Sequence, residues 1–401
     1  MPPLPPDSGL SGQQRNGQKS SRSRFDYSPL NWSKYFDEKR DLLINDDSFR
    51  VYLKGFDDKS TEDSNLPLLV LLHGGGYSGL TFGPFAHEIY DLCECRLLAL
   101  DLRGHGNTFT TNDEDLSAST LINDIFRIIT KLYATESIPR IVLMGHSMGG
   151  AIAVHCAHKI HELESRIVGL IVIDVVEGTA LDALHSMQSF LRSRPSSFPT
   201  LENAIEWCVR SGQTRNVEAA RLSMPGQLKN IETGFTATSE LDSESETQLL
   251  PNNSNQEINK NIFGFDSLKE ENEDNAEQVV NRPNNSSEHV FKTPASSGYT
   301  WRTDLFRSEP YWNEWFQDLS NMFLDCRSDA KLLLLAGVDR LDRALTVGQM
   351  QGKFQMQVLP KCGHTVHEDV PDKVAQVVAS FLIRNRFTNG KREFERPFPS
   401  C

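Results

Sequence analysis

Short apolar segments alternate with amphipathic segments along most of the chain. The apolar segments predict strands, because aliphatic residues fill them without the polar alternation of a strand that faces solvent. They span residues 49–54, 66–73, 96–101, 140–146, 167–174, 331–337 and 354–359. The segments between them, notably 117–134 and 149–161, have the periodicity of helices with one apolar face. Apolar strands separated by helices are typical of a parallel sheet covered on both faces, so the pattern predicts an α/β fold.

The interval 178–330 interrupts this alternation. It begins with helical patterns, continues as a long polar tract and ends with an aromatic segment before the next apolar strand. Within it, residues 236–290 contain twelve acidic and three basic residues and few aromatics. Such a composition is typical of disorder, because too little apolar surface is available for burial. The interval therefore predicts a helical lid that is inserted into the core and carries a disordered acidic loop.

The predicted core consists of two parts, residues 25–177 and 331–387, on either side of the lid. Residues 1–24 carry four basic residues against one aspartate and little apolar mass, which predicts a disordered basic tail. Its charges are spread out, so a solvated tail is favoured over a nuclear-targeting signal. Residues 388–401 are assigned to a C-terminal tail.

The composition narrows the class of protein. The 401 residues carry 41 Lys and Arg against 54 Asp and Glu, a net charge of −13. This balance argues against a nucleic-acid partner, which would need a basic face. No apolar run is long enough for a membrane span or a signal peptide, so we expect no membrane association. Seven cysteines without framework or zinc spacing fit reduced thiols in the cytoplasm or nucleus, with no disulfide and no metal site.

The strongest chemical signal is a G-x-S-x-G motif. Residues 145–149 have the sequence GHSMG, directly after a predicted strand and directly before a predicted helix. In this context small residues permit a strained turn that exposes the Ser147 hydroxyl above the carboxyl edge of the sheet. The backbone N–H of Met148 then lies at a helix N-terminus, where it can donate to an oxyanion. The motif predicts a nucleophilic serine on an α/β-hydrolase fold.

A glycine-rich segment, HGGGY at 73–77, directly follows the predicted strand 66–73. Its glycines allow the backbone to bend so that an N–H points toward the same spot as that of Met148. We assign this second part of the oxyanion hole to the backbone of Gly75, Gly76 and Tyr77. A phosphate-binding loop is the alternative, but it needs a lysine that does not follow here.

The catalytic base is expected after the last strand, where residues 363–369 have the sequence GHTVHED. Two histidines compete for this role. His364 is preferred because it lies nearest the strand end, whereas His367 is expected to form local hydrogen bonds with the helix that starts near Pro371. A metal site at these histidines is disfavoured, since no third ligand lies in range.

The acid of the catalytic triad has three candidates. Asp174 ends the strand 167–174, and Asp339 and Asp342 follow the strand 331–337. All three satisfy the chain order serine, acid, histidine. The commonest hydrolase layout favours Asp339 and a known variant favours Asp174, so spacing alone leaves the choice open. With any of them, the residues predict nucleophilic acyl transfer at the serine.

Longer segments of the sequence resemble the protein phosphatase methylesterase family. They are LLHGGGYSGLTF, DLRGHGNT, GHSMGGAIAVH, VIDVVEGTALDALHSMQSFLRSRP, YTWRTDL, YWNEWF, LLLLAGVDRLDRALTVGQMQGKFQMQVLP and CGHTVHED. The resemblance extends from about Asp26 to about Phe387 and excludes the acidic loop. It includes lid segments that α/β hydrolases in general do not share. It implies an α/β-hydrolase fold, with a mostly parallel central sheet flanked by helices and an inserted lid.

Members of that family are serine hydrolases that remove the methyl ester from the C-terminal leucine of the protein phosphatase 2A catalytic subunit. The resemblance therefore implies this activity, without a cofactor, and implies that the phosphatase is both substrate and docking partner. It places the triad on Ser147, Asp174 and His364, so that Asp339 becomes a structural or substrate-facing residue. Among the lid aromatics, Trp301, Tyr311 and Trp312 are candidates for a groove that holds the phosphatase tail, although most lid aromatics are expected to form lid core.

The sequence departs from the family pattern in three places. The loop at 236–290 is rich in Asn rather than a run of glutamates, Tyr77 stands in the oxyanion segment, and two extra residues separate Ser147 from Asp174. The first departure concerns the partners of the loop. The other two are not expected to disturb the chemistry.

Two other functions are compatible with the same residues. A carboxylesterase or lipase-like hydrolase of small molecules would use the same triad. A protein that mainly binds and sequesters inactive phosphatase would find support in the acidic loop. Demethylation that is lost in a Ser147→Ala variant while association with phosphatase persists would separate the enzyme from the scaffold.

Overall fold

The computed structural model describes residues 25–56, 66–249, 297–337 and 341–397, without the side chains of 244–249. The predicted basic tail and the part of the predicted acidic loop from 250 to 290 lie outside the described residues. The prediction of disorder from 236 is wrong for the described part of that loop, which is helical over Ala237–Leu249. Asp339, one of the candidate acids, also lies outside them.

Two sheets contain the described strands. In chain order the strands are β1 Glu38–Ile44, β2 Asp47–Lys54, β3 Leu68–Leu72, β4 Arg96–Leu100, β5 Ile141–His146, β6 Ile167–Ile173, β7 Ser197–Phe198, β8 Leu228–Asn230, β9 Tyr299–Trp301, β10 Ala330–Leu335 and β11 Gln355–Val358. The large sheet has the order β1-β2-β4-β3-β5-β6-β10-β11, and its strands from β4 onward are parallel. β2 pairs antiparallel with both β1 and β4. The carboxyl ends of the parallel strands therefore share one edge.

Helices cover both faces of the large sheet. They are α1 Gly83–Leu92, α2 Ala118–Leu132, α3 Met148–Lys159, α4 Glu177–Ser193, α5 Leu201–Ser211, α6 Val217–Ser223, α7 Ala237–Leu249, α8 Glu309–Phe316, α9 Leu319–Asp325, α10 Arg343–Met350, α11 Val366–Asp369 and α12 Pro371–Arg384. Side chains of α2, α3, α9 and α10 join one buried apolar cluster, and those of α1, α11 and α12 join another. Within β5, Ile141 and Leu143 belong to the first cluster, whereas Val142 and Met144 belong to the second. Burial on both faces explains why the parallel strands are apolar throughout.

Each apolar segment predicted as a strand overlaps a strand of the large sheet, but β1 was not predicted. β1 is an edge strand that pairs only with β2, and of its residues only Leu42 is buried. Its charged residues face solvent, as is common at a sheet edge. A search for apolar runs therefore misses it.

The lid leaves the sheet after β6 and returns to it at β10. Its small sheet, in the order β7-β9-β8, has its own apolar cluster, which includes Phe198, Ile205 and Leu228. The last two helices of this interval pack instead into the main core beside α3, α8 through Trp312, Trp315 and Phe316 and α9 through Leu319 and Phe323.

Within the described part of the chain, no helix combines the length and apolarity that crossing a bilayer requires. The six cysteines in these ranges are free thiols. No cluster of three or more His, Cys, Asp or Glu side chains suited to a metal ion occurs there either.

Candidate active site

Ser147 occupies a tight turn between β5 and α3. Its φ of 53° and ψ of −121° are rare for an L-residue and cost about 1–3 kcal/mol. Glycines leave room for the turn, since a Cβ on Gly145 would lie 2.1 Å from the carbonyl oxygen of Gly149. The Ser147 N–H donates to the carbonyl of Ile173 at 3.1 Å, which fixes the turn to the end of β6. The turn presents the serine to a cavity at the carboxyl edge of the sheet.

Asp174 and His364 form a hydrogen-bonded pair at this edge, with Oδ2 of Asp174 2.8 Å from Nδ1 of His364. The Asp174 side chain is fully buried, whereas that of His364 is 49% exposed. The second carboxylate oxygen of Asp174 accepts the N–H of Ala336 at 3.0 Å. A carboxylate held in this way favours the imidazole tautomer with its proton on Nδ1, which leaves Nε2 free to act as a base.

The other candidate acid and base have different contacts. The Asp342 carboxylate caps α10, where Oδ1 accepts the N–H of Leu345 at 2.9 Å. His367 is fully buried, and its Nε2 lies 2.8 Å from the Thr81 hydroxyl rather than forming the local hydrogen bonds expected from the sequence. Burial lowers the pKa of His367 to about 3. Asp342 and His367 are thus engaged in contacts outside the pair of Asp174 and His364.

The glycine-rich segment after β3 lies directly against the serine turn. A Cβ on Gly74 would lie 3.3 Å from the Cβ of Ser147. Gly75 and Gly76 line the same cavity as Ser147 and Met148, the first residue of α3. Gly75, Gly76 and Met148, whose backbone N–H groups were predicted as oxyanion donors, therefore border one space next to Ser147.

Tyr77 differs from the prediction that its backbone belongs to the oxyanion hole. Its N–H donates to the carbonyl of Gly74 at 3.2 Å and closes a turn. Its side chain lines the cavity and hydrogen-bonds Gln213 of the lid. Burial raises the pKa of the Tyr77 phenol well above its usual range, so the hydroxyl stays protonated. The uncharged Tyr77 side chain thus forms part of the cavity wall, and its backbone N–H is used in the turn rather than in an oxyanion hole.

The cavity, with a volume of about 460 Å³, includes Ser147 and His364 in its wall. The lid supplies most of its apolar side chains, which are Leu184, Met187, Phe190, Trp207, Leu305, Trp312, Trp315 and Phe316. Of the predicted groove residues, Trp312 lines the cavity. Trp301 packs instead on Arg194, a wall residue that the sequence analysis missed, and Tyr311 packs against the main core.

Comparisons with known proteins place this chain in a family. Its sequence matches the alpha/beta hydrolase family over residues 69–241 and 261–377. The protein phosphatase methylesterase 1 of Mus musculus is 48% identical over 404 aligned positions, which cover 100% of this chain and 96% of that protein. The protein of the same name from Homo sapiens has the same identity and coverage. The chain belongs to the protein phosphatase methylesterase family.

A solved structure also shares the fold of this methylesterase family member. The crystal structure of E-2-(acetamidomethylene)succinate hydrolase matches with a TM-score of 0.57 at 16% sequence identity, covering 86% of this chain and 99% of that chain. At this identity the likeness concerns the fold alone. The predicted family, the α/β-hydrolase fold and the assignment to an enzyme class of carboxylic ester hydrolases are confirmed.

A buried histidine of the methylesterase site, His146, was treated in the sequence only as the variable residue before the serine. Its Nε2 lies 2.9 Å from the backbone carbonyl of His364, and the two rings lie 4.6 Å apart. Burial and the neighbouring histidines lower the pKa of His146 well below its usual value, so the ring is neutral. Because a carbonyl oxygen can only accept a hydrogen bond, Nε2 of His146 carries the ring proton and donates it to the carbonyl of His364. His146 therefore anchors the backbone of His364.

We expect a His146→Leu variant to lower kcat for a short-chain ester about tenfold, because one hydrogen bond that positions His364 is lost. A His146→Gln variant retains an N–H donor on a side chain of similar reach and should keep most of the activity. Steady-state kinetics of the two variants, compared with the unmodified protein, measure the difference. Equal values of kcat for the two variants would contradict the anchoring role.

Proposed function

We propose that this protein is a serine carboxylesterase that removes the methyl ester from the C-terminal leucine of the protein phosphatase 2A catalytic subunit. Ser147 is the proposed nucleophile, His364 the base and Asp174 the acid. The observation that carries the proposal is that His364, which is paired with Asp174 at 2.8 Å, lies in the same cavity wall as the strained Ser147. This arrangement has the chain order and the strand-end positions that acyl transfer by an α/β hydrolase requires.

In the proposed reaction, Nε2 of His364 takes the proton of the Ser147 hydroxyl as its oxygen attacks the ester carbonyl carbon. Backbone N–H groups of Met148 and the Gly75–Gly76 segment stabilise the oxyanion of the tetrahedral intermediate. The intermediate collapses and releases methanol, which receives its proton from His364. A water molecule, deprotonated by His364, then hydrolyses the acyl-enzyme and restores the serine.

The shape of the cavity supports a methyl ester with a large acyl part. A methyl leaving group needs little space, so most of the roughly 460 Å³ is available to the acyl side. Apolar walls with a few polar groups suit an apolar residue such as leucine at the end of a peptide chain. The relatives named protein phosphatase methylesterase 1 support the choice of a phosphatase as substrate.

Incubation with carboxymethylated phosphatase 2A catalytic subunit tests the proposal. We expect release of the methyl group, and we expect a serine-directed fluorophosphonate to block it. Rapid turnover of short acyl esters without turnover of the methylated phosphatase would favour the small-molecule esterase instead. Stable association with phosphatase without methyl release would favour the scaffold.

A further inference from the structure

One cation in the wall of the active-site cavity has no acidic partner among the described residues. Arg194 directly follows α4 and lines the same cavity as Ser147 and His364. Its guanidinium carbon lies 3.4 Å from the ring centre of Trp301. Within the described ranges, the groups that act electrostatically on Arg194 are the Tyr77 phenol and the Cys208 thiol. Nε of Arg194 has no hydrogen-bond partner there.

Other poorly exposed arginines of this protein do have carboxylate partners. Arg50, Arg103 and Arg302, whose side chains are 6–11% exposed, pair with Asp41, Asp124 and Asp113 at distances of 2.6, 2.7 and 2.8 Å, respectively. Placing a cation out of water without an opposite charge is costly, so buried charges in proteins are normally paired. Arg194, which has no carboxylate partner in the part of the chain that the structure describes, therefore differs from these three arginines.

Arg194 remains charged at neutral pH, although loss of solvent lowers its pKa to about 10. The Trp301 ring covers one face of the guanidinium, and the Trp301 indole N–H donates to the carbonyl of Pro195, next to Arg194, at 2.7 Å. This stack orients the guanidinium plane before any ligand binds, which reduces the entropy lost on binding. A planar guanidinium held in this way matches a carboxylate, which it binds through two parallel hydrogen bonds.

We infer that Arg194 is a specificity residue that binds an acidic side chain of the substrate, on a residue that precedes the esterified one. This inference rests on the proposed function, because the location of the negative charge that pairs with Arg194 is deduced from a methyl-ester substrate. The leaving group is an uncharged methyl group, and the C-terminal carboxyl is neutralised by the ester. The negative charge must therefore lie on the acyl part, within the peptide that enters the cavity.

Synthetic hexapeptides that end in a leucine methyl ester test the inference. A single Asp is moved through the four positions that precede the leucine, and each peptide is paired with one that has Asn at the same place. For the unmodified protein, Asp at one of these positions should raise kcat/KM over Asn by about tenfold or more, as for a charge-assisted hydrogen bond. In an Arg194→Gln variant this ratio should fall close to one at every position.

Two further variants separate charge from packing. Arg194→Lys keeps the cation and should retain part of the preference for Asp, although it loses the bidentate geometry. Arg192→Gln removes an exposed arginine in the last turn of α4 that does not line the cavity, and it should keep the full ratio. A ratio that falls as far in the Arg192 variant as in the Arg194→Gln variant would overturn the assignment to Arg194.

The outcomes distinguish this inference from the proposed function. Hydrolysis of all peptides by the unmodified protein without a preference for Asp overturns the inference and leaves the proposed function intact. This comparison needs no variant, so it decides even if an Arg194 variant fails to fold. A preference that persists in Arg194→Gln also overturns the inference. If no methyl-ester peptide and no methylated phosphatase is hydrolysed, the proposed function fails, and the inference fails with it.

Discussion

A Ser147→Ala variant is expected to lose methyl-ester hydrolysis by a factor on the order of 10⁶ in kcat, because the covalent route through the serine no longer exists. The fold should persist, because the substitution removes only the side-chain hydroxyl. The turn, with its φ of 53°, is held by the backbone hydrogen bond from the N–H of residue 147 to the carbonyl of Ile173. Release of methyl from carboxymethylated phosphatase measures the loss. Circular dichroism and thermal melting show whether the variant folds.

Ser186→Ala is the matched control for this variant. Ser186 is an exposed residue of α4 that does not line the cavity, and its hydroxyl donates to a backbone carbonyl of its own helix. This variant should keep normal activity. Mass spectrometry after treatment with a fluorophosphonate should locate the adduct on Ser147. An adduct on another serine, or activity that survives Ser147→Ala, would disprove the choice of nucleophile.

An Asp174→Asn variant is expected to lower kcat about ten-thousandfold at neutral pH. The asparagine keeps the size of the side chain, but its amide stabilises the tautomer of His364 in which Nε2 carries the proton and cannot act as a base. The change should affect kcat far more than KM, because the Asp174 side chain is fully buried and does not line the cavity. Kinetics with a methyl-ester peptide measure both constants.

The competing acids supply the controls for this prediction. Asp342→Asn should leave activity nearly unchanged, because asparagine also caps a helix and Asp342 serves as the cap of α10. Asp339→Ala should leave most of the activity as well. If Asp339→Ala abolished hydrolysis while Asp174→Asn did not, the acid would have to be reassigned to the later strand.

The sheet and the serine turn were predictable because their signals are local. An apolar run predicts a buried strand by itself, and the glycines around Ser147 reveal a turn that larger residues would obstruct. The acid was not decided by such signals, because three aspartates follow strand ends at compatible spacing. In the structure, Asp174 contacts Ala336 and His364, and both contacts depend on the order of strands in the sheet.

The features that the sequence analysis missed depend on contacts between distant parts of the chain. Arg194 is notable only because Trp301, which belongs to β9 of the lid, stacks on it and no carboxylate among the described residues pairs with it. His146 gains its anchoring role from the loop that carries His364, far along the sequence. Neither pattern leaves a periodicity or a motif that composition and spacing can reveal.

The lid connects two neighbouring parallel strands, since it leaves the sheet at the carboxyl end of β6 and rejoins it at the amino end of β10. Ile173 of β6 pairs with Leu334 of β10, and the N–H of Asp174 donates to the carbonyl of Leu334 at 2.8 Å. Insertions or deletions between β6 and β10 therefore change the length of the lid without disturbing the pairing of these two strands. Descendants of such a chain are free to diversify the residues that select a substrate, while the geometry that cleaves it is inherited unchanged.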